Sequence, residues 1–169
     1  MSDSAGLLGK TSRTCGNSTT TLTSNWPAAA ILRYRNRWLV FNWSSFFSQV
    51  ISVEQHGVKQ VFVSGQVGVN AQKRLAGEGE FEAQTERAFE NLGIALARAG
   101  AAWEHVVKLT IYVVGYEAAR AMVIGQAIRS RFATGKLPAC SLIGVQALAE
   151  SGFEIEVEAI ALVDTENNS

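Results

Sequence analysis

Several features that would send a chain toward a particular class are scarce here. There are two cysteines, Cys15 and Cys140, in 169 residues. That is too few for a disulfide framework, and with no CxxC pair or Cys/His cluster nothing points to zinc. A reducing compartment suits such cysteine usage, and the cytoplasm is the expected location. No apolar run approaches the ~18 residues needed to span a bilayer. Excess charge is also lacking: 15 basic residues balance 15 acidic ones, which leaves no electrostatic footprint for nucleic acid. What is present, 47% hydrophobic and 18% charged residues, suits one globular domain with a real core.

The even balance hides two kinds of sequence. Residues 1–53 carry five basic side chains (Lys10, Arg13, Arg33, Arg35, Arg37) and one acid, Asp3, whereas the remainder carries ten basic and fourteen acidic. Residues 1–25 are rich in Ser and Thr, offer little apolar surface to bury, and read as disordered. Ala28 to Trp43 interleaves three arginines with Ile31, Leu32, Tyr34, Trp38 and Leu39. Three readings stay open for it: an organelle transit segment, which would place the protein in mitochondria, an extra element packed on the domain, or an extension without independent role. The expected division is an extension at 1–45, a domain at 46–164 and a tail at 165–169.

From Phe47 the patterns sharpen. Phe47 to Glu54 alternates as a strand, His56-Gly57 is a turn signal, and Lys59 to Ser64 is the returning strand. Residues 65–70 and the Gly77/Gly79 pair read as loop, with a short strand near Arg74-Leu75. Phe81 to Ala99 is the clearest helix: Phe81, Thr85, Ala88/Phe89, Leu92, Ala95/Leu96 and Ala99 form one stripe, and Gly100 is its C-cap. Val106 to Val114 is a β-forming run. Tyr116 to Phe132 fits a second helix, with Ala119, Met122/Val123, Ala127 and Phe132 inward. Ser141 to Val145 is a short strand. Phe153 to Val163 is a long one, with Phe153, Ile155, Val157, Ala159 and Ala161 on one face and Glu154, Glu156 and Glu158 on the other.

The order β-β-(β)-α-β-α-β-β predicts an α/β (α+β) domain: a mixed sheet with both helices on one face. The second face is too apolar to be left to water, so self-association is expected.

The strings Phe62-Val63-Ser64-Gly65-Gln66, Gln84-Thr85 with Glu90-Asn91-Leu92, Val106-Val107-Lys108-Leu109-Thr110, Pro138-Ala139 and Glu156-Val157-Glu158-Ala159-Ile160-Ala161 together resemble the Rid (reactive intermediate deaminase, YjgF) family. The resemblance covers about two-thirds of the chain and not its first 45 residues. It implies a chorismate-mutase-like domain and a homotrimer whose sheets form a central barrel, with small-molecule pockets in the clefts between subunits. No cofactor, metal or membrane partner is expected, and the charge balance gives nucleic acid no support, although some relatives are reported as ribonucleases. The implied activity is hydrolysis of imines and enamines, released by pyridoxal-phosphate enzymes, to 2-keto acids and ammonia.

Carried over position by position, the family's water-positioning Glu matches Glu158, and Ser64, Gly65 and Gln66 match the segment that lines the pocket. The early Tyr falls at Phe47, and the second-helix Asn falls near Gly125. The Arg that grips the substrate carboxylate falls at Cys140, so the chain resembles an Arg-less branch. A thiol cannot replace a bidentate fork, and losing such a charged contact costs roughly 1.5–3 kcal/mol. No Arg or Lys is expected in the neighbouring strand to substitute for it. Phe47 and Cys140 are expected to shape an apolar wall of the pocket. The alternative role for Cys140 is that of a nucleophile, but neither His56, in a turn, nor His105, at a strand start, is expected to activate it.

Overall fold

The alternating stretches condense into one mixed sheet in the computed structural model, which describes residues 47–77 and 79–166 and the backbone of 18–21 and 31–35. In chain order the elements are β1 (Ser18–Thr21), β2 (Ile31–Arg35), β3 (Val50–Gln55), β4 (Val58–Val67), α1 (Phe81–Arg98), β5 (Val106–Val114), α2 (Ala118–Arg129), β6 (Ala139–Val145) and β7 (Ile155–Asp164). A single 3₁₀ turn, Trp103–His105, leads into β5. The strand order is β1-β2-β3-β4-β7-β5-β6. Every pairing is antiparallel except β5 with β6, the pair that α2 connects.

One face of this sheet is the core. Val61 and Val63 of β4, Leu109, Ile111 and Val113 of β5, and Ile155, Val157, Ala159 and Ala161 of β7 are buried with Ala88, Phe89, Leu92, Ala95 and Leu96 of α1. Each fully buried Leu, Ile or Phe contributes roughly 1.5–3 kcal/mol. The predicted α1 stripe is the buried one, and the predicted cap is a Schellman motif: Gly100 N–H donates to Ala97 O (3.0 Å) and Ala101 N–H to Leu96 O (2.9 Å), with Gly100 at φ +67°.

Two polar side chains inside α1 tie the sheet to the helix. Asn91 Nδ2 donates to Val67 O and Val69 O, both at 2.9 Å, where β4 ends. Gln84 donates to Gly152 O (3.0 Å) and accepts from Glu154 N–H (3.1 Å), where β7 is about to begin. Both residues are buried. Their amides satisfy backbone groups that would otherwise be orphaned at strand ends.

Some expectations need correction. Residues 65–67 are not loop: β4 runs through them to Val67, because a bulge absorbs the irregularity without ending the ladder. The strand expected near Arg74-Leu75 is a single bridge between Val69 and Leu75. α2 is shorter than 116–132, since Glu117 is extended and only Ala118 onward is helical. Its buried residues are Ile124 and Ala127; Ala127, like Phe132 beyond the helix, is inward as expected, whereas Ala119 and Met122 are exposed and Ile124 takes their place. β6 starts at Ala139 rather than Ser141, because the parallel ladder already pairs Lys108 with Ala139. Ser18–Thr21, within the stretch read as disordered, forms a strand on β2, which itself pairs with β3 in the register Arg33 to Ser52. Of the apolar-basic segment, residues 31–35 form β2; Trp38 and Trp43 lie outside the described residues.

Candidate functional site

The face of the sheet without helices carries the polar residues. Strand alternation sends Lys108, Thr110 and Tyr112 of β5 to it, and Glu156, Glu158 and Ile160 of β7. Across the β5–β7 ladder Thr110 is opposite Glu158, Tyr112 opposite Glu156 and Lys108 opposite Ile160. On the other side of β7 the β4 ladder pairs Val63 with Ala159 and then Gln66 with Val157. Two residues, Ser64 and Gly65, thus face the single residue Glu158. This is the geometry of a bulge, a device that re-aims side chains beside functional sites.

The bulge is braced from within. Ser64 Oγ donates to Ser48 O (2.7 Å) and Ser64 N–H to Gln49 O (2.9 Å). Gln66, 4% exposed, uses its amide nitrogen on Ser64 O (2.9 Å), Gly65 O (3.2 Å) and Gln49 Oε1 (3.4 Å). Gly65 leaves room for a carboxyl: a Cβ there would lie 1.5 Å from Glu156 Oε1, so any side chain at this position would make the Glu156 side chain move.

A cavity of about 290 Å³ opens on this face, lined by Ser48, Phe62, Ser64, Lys108, Thr110 and Glu158 among others. Glu158 accepts a hydrogen bond from Tyr112 Oη at 3.4 Å. The negative charge of Glu158, followed by burial, holds the Tyr112 phenol above its ordinary value. Burial and then the Glu158 charge push the Glu156 carboxyl up. Lys108 Nζ donates to Ser141 Oγ of β6 (2.6 Å) and to Leu109 O (3.0 Å). The arrangement sets a carboxylate able to orient water or accept a proton beside hydroxyl donors, with an ammonium nearby. Among the described residues no three His, Cys, Asp or Glu side chains converge as metal ligands, and no helix is long and apolar enough to cross a membrane.

A sequence pattern described as Endoribonuclease L-PSP matches residues 44–163. The chain belongs to this family, known also as Rid. DfrA of Myxococcus xanthus is 33% identical to this Rid chain over 117 residues, covering 69% of it and 84% of the relative. The 2-iminobutanoate/2-iminopropanoate deaminase of Rattus norvegicus is 30% identical over 116 residues, covering 69% and 79%. Among solved structures, a Rid-family protein of unknown function from Yersinia pestis aligns with a TM-score of 0.60 at 35% identity, over 78% of this chain and 98% of its own.

Against the expected Rid site, the structure brings some residues together and separates others. Ser64 and Glu158 share the cavity. Gly65 forms the bulge beside it, while Gln66 lies buried beneath, its amide committed to the bulge carbonyls. Phe47, 45% exposed, precedes β3 outside the lining, and the adjacent Ser48 is part of it. Cys140 is exposed and pairs with Leu109, whose side chain is in the core, so alternation puts Cys140 on the helix side of the sheet edge and Glu158 on the open side. Burial raises its thiol pKa, partly offset by the Lys108 charge, the opposite of what an activated nucleophile needs. Gly125 lies within α2.

The expectation that no Arg or Lys stands in the strand beside Cys140 is wrong, since Lys108 is there. Lys108, Thr110 and Tyr112 carry no site role in the sequence analysis, which reads Val106 to Val114 only as a β-forming run. Their polar alternation, at every second position, was the available signal.

Proposed function

We propose that this Rid chain is a small-molecule enzyme that hydrolyses a reactive imine or enamine, or processes a related carbonyl compound, in clefts between the subunits of a homotrimer. The observation that carries the reading is Glu158, set opposite the Ser64-Gly65 bulge in a cavity that also holds Thr110 and Lys108. In the proposed reaction Glu158 orients a water, which adds to the carbon of a protonated C=N bond. The tetrahedral adduct then loses the nitrogen as ammonia, leaving C=O in place of C=N. The electrophile is already activated by its own charge, so positioning and charge stabilisation supply the catalysis. The rat relative is named a deaminase of this kind, which supports the reaction class.

Exposed apolar residues on the open face support self-association: Phe62 is 39% exposed, Ile143 41% and Leu162 40%. Light scattering or native mass spectrometry should read three subunits; a stable monomer would remove the clefts and the reading with them. In an ammonia-release assay with freshly generated imino acids, wild type should exceed the uncatalysed rate, and Glu158→Gln should lose roughly 10²–10⁴-fold, the range typical of general acid–base groups. Wild type and Glu158→Gln both at the uncatalysed rate would exclude imino-acid hydrolysis. That outcome would favour a non-catalytic ligand-binding trimer, a reading supported by Cys140 standing where the family resemblance calls for arginine. We place the boundary of the Rid domain near residue 46, and mass spectrometry of the native protein would show whether residues 1–45 are removed.

A further inference from the structure

We propose that Lys108 holds the anionic end of the ligand in this cavity, so that a lysine on β5 serves where the family resemblance calls for an arginine at the position of Cys140. The inference rests on the cavity being the ligand site; it does not require catalysis there.

The ammonium of Lys108 has three donors. Two contact neutral acceptors, Ser141 Oγ at 2.6 Å and Leu109 O at 3.0 Å. Among the described residues, no carboxylate lies within ion-pair distance of it. By contrast Arg87 is paired with Glu90, Arg120 with Glu154 and Arg131 with Glu86. A partly buried cation without a counter-ion is unfavourable, and an anion entering the cavity relieves that cost. Among the described residues Lys108 is also the only basic one lining the cavity. Ser141 and the Leu109 carbonyl act on the ligand only through it: they fix where the flexible lysine stem ends, and are positioning groups.

The cavity is polarised as well. Lys108 is opposite Ile160 and Thr110 opposite Glu158, which makes Lys108 and Glu158 diagonal neighbours across the ladder. Such diagonal neighbours are on the order of 7–8 Å apart, their Cβ atoms somewhat closer. Lys108 and Glu158 both line the cavity, so a ligand there meets a cation and a carboxylate, which favours a small skeleton bearing an anion at one end and a polarised, proton-bearing nitrogen at the other. A lysine presents a point charge rather than a planar fork, so it constrains the orientation of the anion less than arginine does.

The test is calorimetric titration of the full-length protein with 2-oxobutanoate and with its uncharged amide. Wild type should bind the carboxylate at least about tenfold more tightly than the amide. Lys108→Met should weaken carboxylate binding by roughly ten- to a hundredfold and leave the amide unchanged. Lys108→Arg should restore the preference, and Ser141→Ala should reduce it by a smaller factor. Thermal unfolding of each variant separates a strut from an anion anchor. If Lys108→Met lowers Tm while the carboxylate-to-amide ratio stays at the wild-type value, Lys108 merely clamps β5 to β6 and the proposal is overturned. Failure of wild type to bind the carboxylate overturns it too. Carboxylate selectivity that depends on Lys108, without ammonia release, would defeat the deaminase reading and leave this one standing. Ammonia release with selectivity indifferent to Lys108 would do the reverse.

Discussion

The two faces of β7 carry different kinds of information. On one, Ile155, Val157, Ala159, Ala161 and Val163 are all buried against α1 and the neighbouring strands. On the other, Glu156 and Glu158 stand among Tyr112, Thr110 and the Gly65 bulge, and Leu162 is exposed. The first face is governed by packing, which tolerates any apolar set of the right volume and register. The second is governed by individual partners: one glycine that makes room, one phenol that donates, one carboxyl that burial keeps from ionising freely. The packed face holds the strand in place so that the polar face can be specific.

If that division is right, damage to the packed side should cost most. Phe89 is fully buried and stacks on Trp103 with ring centroids 6.2 Å apart, while the Arg131 guanidinium lies 5.2 Å from its ring. Phe89→Ala should destabilise the fold by about 3–5 kcal/mol in urea unfolding. A loss under about 1 kcal/mol would mean that the core collapses around the gap and that the contrast between faces is overstated.

On the polar side, Gly65→Ala forces a methyl group against the Glu156 carboxyl. A loss of about 1–3 kcal/mol is expected from overpacking. Combining it with Glu156→Ala should recover most of that loss, a coupling that a double-mutant cycle measures. Additive effects would show that the bulge, rather than the carboxyl, sets the glycine requirement.

The smallest effect is electrostatic and has a definite sign. The Glu156 carboxyl is raised by burial and by the Glu158 charge, so the folded chain holds its proton more tightly than the unfolded one. Its contribution to stability is then most favourable below the unfolded value of about 4.3, and is lost as pH rises through the folded value. Glu156→Gln should stabilise the protein relative to wild type at neutral pH, and the gain should fade below about pH 4. A gain independent of pH would locate the effect in packing and blur the distinction between the faces.

Much of this fold is legible in the sequence. The α1 stripe, its Gly100 cap, the His56-Gly57 turn and the alternation of β7 all follow from local periodicity. The site was readable only in part. Glu158 and Ser64 were legible through the family strings and do meet in the cavity. Cys140 was placed beside Glu158 because the linear string says nothing of strand parity, and Lys108 was passed over although it stands in one of the same strings. Gln66 shows a related limit: its amide braces the bulge from a buried position, and only hydrogen-bond geometry distinguishes a brace from a ligand contact.

The sequence by itself determined that α1, α2 and most of the strands exist, and for α1 and β7 which residues share a face, because those are matters of spacing along one chain. Only the tertiary structure decided which faces meet. The pairing of β5 with β6 and β7, and the bulge in β4, depend on registers between strands far apart in sequence. A shift of one residue in any of them would send its side chains to the opposite face. Those registers bring Lys108 within reach of Ser141, set Glu158 against the bulge, and leave Cys140 on the other side of the sheet.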